Sequence, residues 1–164
     1  MTTSNPILDE LRRTREALLA NAGGTMSELM WLVGHQFQSL TRREFEWLFV
    51  FDKDVSVVVA CLWRLVEAGR IRPTSQDDGQ HFGLPALVDA AAEVNRRLAL
   101  ADIESVELRQ GSLDLELRFS TGQVLQIIPD SSGYEAWTLY RGKRQFIAIG
   151  GGEMAIYDDD LASG

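Results

Sequence analysis

Residues 113–140, LDLELRFSTGQVLQIIPDSSGYEAWTLY, constrain this fold more than any other stretch of the chain. Leu113, Leu115, Leu117 and Phe119 alternate with Asp114, Glu116, Arg118 and Ser120. Side chains of an extended strand point to opposite faces in turn, so the pattern predicts one buried face and one wet face. Ser120-Thr121-Gly122-Gln123 supplies a hairpin turn, with Gly122 free to take the positive φ such a turn requires. Val124 to Ile128 resumes a strand, which Pro129 ends because proline has no N–H to donate. Asp130-Ser131-Ser132-Gly133 is a second turn, rich in side chains that bond their own backbone. Tyr134 to Tyr140 then returns as a third strand, with Trp137 and Leu139 on one face. The expectation is a three-stranded antiparallel meander.

A looser version of this stretch occurs earlier. Phe45, Trp47, Phe49 and Phe51 match Leu113, Leu115, Leu117 and Phe119 at a constant offset of 68. Asp52-Lys53-Asp54 turns the chain, and Val55, Val57, Val59 and Cys61 continue on the following strand. After an insertion of six residues, Trp63-Arg64-Leu65 matches Trp137-Thr138-Leu139. A lone meander cannot bury its apolar face, so two such units sharing a core are expected. His35 to Leu40 reads as a strand before the first unit and Ile103 to Leu108 as one before the second. Phe146 to Ile149 and Met154 to Tyr157 follow, separated by Gly150-Gly151-Gly152. That run lacks the Lys-Ser/Thr of a phosphate loop and reads as a bulge or tight β connection.

Helices complete the pattern. Asn5 caps and Pro6 opens an N-terminal helix with Leu8, Leu11, Leu18 and Leu19 on one stripe, which Gly23-Gly24 stops. Thr25 to Glu28 has capping-box spacing for a second short helix through Leu29 and Trp31. Leu84-Pro85 is expected to open a helix carrying Leu84, Leu87, Val88, Ala91 and Leu98 on one face. The predicted fold is α+β: two repeated antiparallel β-meander units sharing a core, one helix between the halves and one at the N-terminus. Its parts are an N-terminal helical segment (1–31), a first β repeat (32–83), a linking helix (84–101), a second β repeat (102–157) and an acidic tail (158–164), in one compact domain.

Charge narrows the function. The net charge is −8; residues 1–82 carry 9 basic and 11 acidic residues, and residues 83–164 carry 7 and 13. An acidic surface repels phosphate backbones, so nucleic acid is a poor partner and a basic protein a good one. No apolar run is long enough to cross a membrane, and the N-terminus lacks a basic-then-apolar signal pattern, so no membrane partner and a cytoplasmic location are expected. The single cysteine, Cys61, rules out an internal disulfide and reads as a buried, inert thiol.

Chemistry-bearing motifs are sparse. His35, His81 and one cysteine give no local support for a nucleophilic triad, and His81 reads as a solvated or capping side chain. Asp77-Asp78-Gly79 lacks the alternating ligands and terminal Glu of a calcium loop. No catalytic residue, metal ligand or cofactor motif is assigned. Asp130, Tyr134, Glu135 and Trp137 form the strongest candidate binding group, since they put two carboxylates and a phenol near one sheet edge. Arg64, on the corresponding strand of the first half, joins them.

Gly34, Gln38-Ser39-Leu40, Trp63-Arg64-Leu65, His81-Phe82-Gly83-Leu84-Pro85, Ser132-Gly133-Tyr134-Glu135-Ala136-Trp137 and the late Gly-Gly-Gly-Glu resemble a family of small bacterial proteins, the domain of unknown function numbered 6188. They are broadly similar to immunity-type proteins of bacterial toxin systems. The resemblance spans about residues 32–156 and implies a fold relationship without an established activity or site. The run NPILDELRRTREALLANAGG resembles the N-terminal helix of antitoxin-like proteins.

Two functions are expected on these grounds. The first is a non-enzymatic binding protein, immunity-like or regulatory, that covers a basic, toxin-like protein surface. The second is a small-molecule binder or weak enzyme with a pocket between the halves, where Trp47 or Trp63 lines a cavity and Glu135 or Arg64 orients a ligand. A homodimer is compatible with either.

Overall fold

A computed structural model describes residues 26–159, together with residues 6, 7, 9, 10, 12 and 13, which are helical. The predicted apolar stripe Leu8, Leu11, Leu18 and Leu19 lies outside the described residues, as does the Gly23-Gly24 stop. A 3-10 helix, Met26–Leu32, occupies the place of the second predicted helix.

Eleven strands follow: β1 (Phe37–Arg42), β2 (Trp47–Phe51), β3 (Val55–Val59), β4 (Leu62–Glu67), β5 (Arg70–Thr74), β6 (Ile103–Leu108), β7 (Leu115–Phe119), β8 (Val124–Ile128), β9 (Trp137–Arg141), β10 (Arg144–Ile149) and β11 (Glu153–Asp158). One α-helix, α1 (Ala90–Arg97), stands between the halves in sequence. The strands form two antiparallel sheets, ordered β1-β2-β3-β9-β10-β11 and β5-β4-β8-β7-β6. Trp63 of the second sheet meets Trp47 and Phe49 of the first edge to face, with ring centroids 5.0 and 5.6 Å apart. The inner faces thus share one core, into which Trp137, Phe119, Phe146 and Leu65 also pack.

The third strand of each expected meander does not stay with the first two. β9 crosses to the other sheet and pairs with β3, and β4 crosses to pair with β8. Each half gives three strands to one sheet and the rest to the other, so both apolar faces find cover without a third layer.

The repeat is real and extends to register. Val57 pairs with Leu139 and Val59 with Trp137; their counterparts Leu125 and Ile127, 68 residues on, pair with Leu65 and Trp63. The register of β1 on β2 shifts between Phe37 and Ser39, and that of β6 on β7 shifts between Ile103 and Ser105, the same place 66 residues on. Gln36 and Asp102, also 66 apart, bridge each other where the halves meet. Asp52 accepts from Gln36 N at 3.0 Å, and Ser120 Oγ accepts from Asp102 N at 3.1 Å. The chain is an internally duplicated, pseudo-two-fold sandwich.

The helix α1 and the 3-10 helix pack against opposite sides of the sandwich. Val94 and Leu98 of the α1 region are buried, and Asn95 ties α1 to the edge of β1 by accepting from Leu40 N at 2.7 Å and donating to Leu40 O at 3.0 Å. On the opposite side, Leu29 and Leu32 of the 3-10 helix are buried and Trp31 packs on Phe146 of β10.

Several local expectations are corrected. α1 begins at Ala90, not at Leu84-Pro85. Asp89 caps it by accepting from Ala92 N, Asp78 accepts from Ala90 N, and the backbone of residues 79–88 is committed to a loop. Phe45 lies outside β2 and is exposed. β3 ends at Val59, because Ala60 and Cys61 carry the chain between sheets. Tyr134 and Glu135 precede β9, which starts at Trp137. Trp47 and Trp63 are buried in the core, where their rings meet edge to face.

Candidate functional site

The duplication marks a candidate site by showing where the halves differ. In the first half, β3 reaches β4 through Ala60 and Cys61 alone. In the second, β8 reaches β9 through residues 129–136, and the added residues include Asp130, Tyr134 and Glu135. Pro129 stops β8. Ser131 Oγ then accepts from Gly133 N at 3.1 Å and Tyr134 N at 3.0 Å, which fixes the turn.

The insertion rests on glycines. A Cβ on Gly150 would lie 2.4 Å from the carbonyl carbon of Gly133, and one on Gly152 would lie 1.7 Å from Gly111 O. The Gly150-Gly151-Gly152 connection therefore lets three backbone loops touch, and no side chain fits between them. On this base, Asp130, Tyr134 and Glu135 border an open concavity of about 580 Å³ with Ala60, Ser131, Gly133 and Ala136. Tyr134 is 80% exposed. Below lies Cys61, whose thiol is pushed up to about 12 by burial and, secondarily, by the charge of Asp130; it stays protonated and unreactive.

The other two candidates fall elsewhere. Trp137 is a core residue whose indole N–H donates to Leu113 O at 3.0 Å. Arg64 lies on the outer face of the β4-containing sheet, in a second concavity of about 360 Å³. There Arg64, Gln126, Glu116 and Glu107 stand side by side on β4, β8, β7 and β6. Arg64 Nε donates to Gln126 Oε1, Gln126 Nε2 donates to Glu116 Oε2 at 2.9 Å, and Arg118 donates to Glu116 Oε1 at 2.8 Å. Sequence reading misses this row. Its outward alternation is visible on each strand, but the pairing of β4 with β8 is not.

The remaining motifs resolve into structure. Asp77 accepts from Thr74 N and Asp78 from Ala90 N, so both carboxylates hold backbone. His81 is exposed, its Nδ1 3.4 Å from Leu84 O. Among the described residues, no group of three or more His, Cys, Asp or Glu is placed to hold a metal ion, and no helix is long and apolar enough to cross a membrane.

Compared with protein-family models, with curated proteins and with solved structures, the chain has no match.

Proposed function

We propose that this chain is a non-enzymatic protein-binding module, immunity-like or regulatory, that engages a basic protein surface in the cytoplasm through the 130–135 insertion. The observation that carries the reading is Tyr134, held out at 80% exposure between Asp130 and Glu135 where the second half departs from its repeat. A lysine or arginine of a partner can pair with either carboxylate and lie on the phenol face. The −8 net charge of the chain favours the same encounter. The resemblance to the uncharacterised bacterial family and to immunity-type proteins belongs to this proposal.

The test is affinity purification of the tagged protein from its native host at low salt, with mass spectrometry of what accompanies it. A stoichiometric basic protein is expected, lost as salt rises and lost on Tyr134→Ala with Glu135→Gln. A partnerless protein, or a partner indifferent to those substitutions, overturns the reading.

The Arg64 concavity supports a second reading, a small-molecule site where β4 of the first half meets β6, β7 and β8 of the second. A ligand that raises the melting temperature of the native protein but not of Arg64→Ala would favour it over the first.

A further inference from the structure

The duplication supplies a control for the outer faces of the two sheets. On the second sheet, Glu107, Glu116, Gln126 and Arg64 stand side by side across β6, β7, β8 and β4. Their counterparts on the first sheet, in the same pairing order, are Thr41, Leu48, Val58 and Thr138. The fold accepts a neutral row at this place, so charge there is not a demand of the repeat. The cross-strand pair beside the row differs as well. Arg43 N donates to Glu46 O at 2.8 Å in the first half, as Arg109 N does to Asp114 O at 2.9 Å in the second. Arg43 and Glu46 then close as an ion pair, Nη1 to Oε1 at 3.1 Å. Among the described residues, the side chains of Arg109, Asp114 and Glu107 make no hydrogen bond or ion pair.

Arg64, Gln126, Glu116, Glu107, Asp114 and Arg109 border one concavity of about 360 Å³, at the small end of the roughly 300–1,000 Å³ of ligand pockets. Gln126 accepts from Arg64 Nε and donates to Glu116 Oε2, and Arg118 donates to the other oxygen of Glu116. Gln126 is thus a neutral spacer that fixes the half-buried Arg64 guanidinium and stands between it and Glu116. The two terminal amino groups of Arg64 have no partner among the described residues. They form a planar fork that matches a carboxylate. Neighbouring strands lie about 4.8 Å apart, so Arg64 on β4 and the acidic strand β7 are about 10 Å apart at the backbone. Opposite charges are held around one hollow without neutralising each other.

We infer that this concavity binds a small zwitterion, a free amino acid or short peptide, with its carboxylate on Arg64 and its ammonium against Asp114 and Glu107. The inference rests on the small-molecule reading of the concavity and adds the chemistry of the ligand. Charge selects it. The groups left open are two guanidinium ions, Arg64 and Arg109, and two carboxylates, Asp114 and Glu107, which sum to zero. An anion would bring its charge beside two open carboxylates, and a cation beside two open guanidinium groups. A molecule that carries both charges meets a partner at each end. The site shares no residue with the 130–135 insertion.

Calorimetric titration of the full chain tests it, with L-alanine, L-alanyl-L-alanine, N-acetyl-L-alanyl-L-alanine and L-alanyl-L-alaninamide, each to about 10 mM. The free amino acid or the dipeptide should bind with a dissociation constant below about 1 mM, and the tighter of the two names the source. Blocking either end of the dipeptide should weaken binding more than about tenfold. Arg64→Lys, which keeps the charge and loses the fork, should weaken the zwitterion and leave the amide unchanged. Glu107→Gln with Asp114→Asn should bring the free and acetylated peptides to equal affinity, a change in selectivity that lost stability alone does not produce. Should that pair fail to fold, Glu107→Gln alone, at an exposed side chain, should narrow the same gap. Equal binding of either blocked peptide by the native chain overturns the inference and leaves a small-molecule site for anions or cations alone. Binding of none of the four overturns it too. The small-molecule reading then stands or falls separately, on whether any other ligand raises the melting temperature of the native protein and not of Arg64→Ala.

Discussion

Trp63 and Trp137 occupy the same place in the two halves, yet only one of their indole N–H groups has a partner. Trp137 donates to Leu113 O; Trp63 is fully buried and its N–H is unpaired. The first-half counterpart of Leu113 is Phe45. After Gly111 the second half folds back, so that Leu113, at φ +63, tucks beneath Trp137. In the first half, Arg43 N donates to Glu46 O, the two side chains form an ion pair, and Phe45 turns outward, 84% exposed. Strand interiors and hairpin tips are therefore under different constraints. A one-residue slip within a strand moves every apolar side chain to the wrong face, so register is shared between the halves. A tip has no such penalty, and the halves diverge there.

The largest effect should come from the glycine base, which the first half lacks. Gly152→Ala drives a methyl into Gly111 O at φ +94 and should cost more than about 4 kcal/mol in urea unfolding, or prevent folding. Gly69→Ala, at φ +73 with open space around it, should cost only about 1 kcal/mol. Equal losses would mean that the backbone contact between loops relaxes freely.

The tryptophans come next. Both Trp→Phe substitutions lose packing, but Trp137→Phe also strands Leu113 O and should cost about 1–2 kcal/mol more than Trp63→Phe. If the two cost the same, the difference between the tips has no energetic content. Asn95→Ala removes both bonds to Leu40 and should cost about 2 kcal/mol, with faster amide exchange along β1 as the second readout.

The smallest effect concerns Asp52, the counterpart of Ser120. Gln36 N–H holds the Asp52 carboxyl below its ordinary value of 3.8; burial opposes this, and His35, 3.0 Å away, adds to the lowering. Its contribution is full above the carboxyl's unfolded pKa and disappears as pH falls through the lower folded value. Asp52→Ser retains a cap on Gln36 N while deleting the charge. The stability gap between wild type and this variant should close in acid; a gap independent of pH would show that the charge contributes nothing.

Much of this was legible in the residues. Alternation along Leu113 to Phe119 and the matched Trp-x-Leu led to the strands and the duplication, because period-two burial leaves a direct trace. The crossing of β4 and β9 left none: their inward faces look the same whichever sheet receives them. Leu84 and Leu87 misled for a related reason. Helical spacing records which residues could share a face, while the start of α1 is decided by where Asp78 and Asp89 find N–H groups. At the candidate site, Asp130, Tyr134 and Glu135 border one concavity because neighbours in a short turn stay neighbours in space, whereas Trp137, expected beside them, turns into the core. Arg64 needed β8 beside it before its company could be known.

The exchange of strands between halves also sets the order in which this protein can be made. When the first half has left the ribosome, β3 and β4 are present without β9 and β8, the strands that flank them. Their backbone edges stay open until synthesis has passed residue 141, and pairings this distant in sequence form slowly. A nascent chain with two unsatisfied edges is a target for chaperones and for wrong partners, among them the equivalent strands of a neighbouring nascent chain, whose register would fit as well as its own.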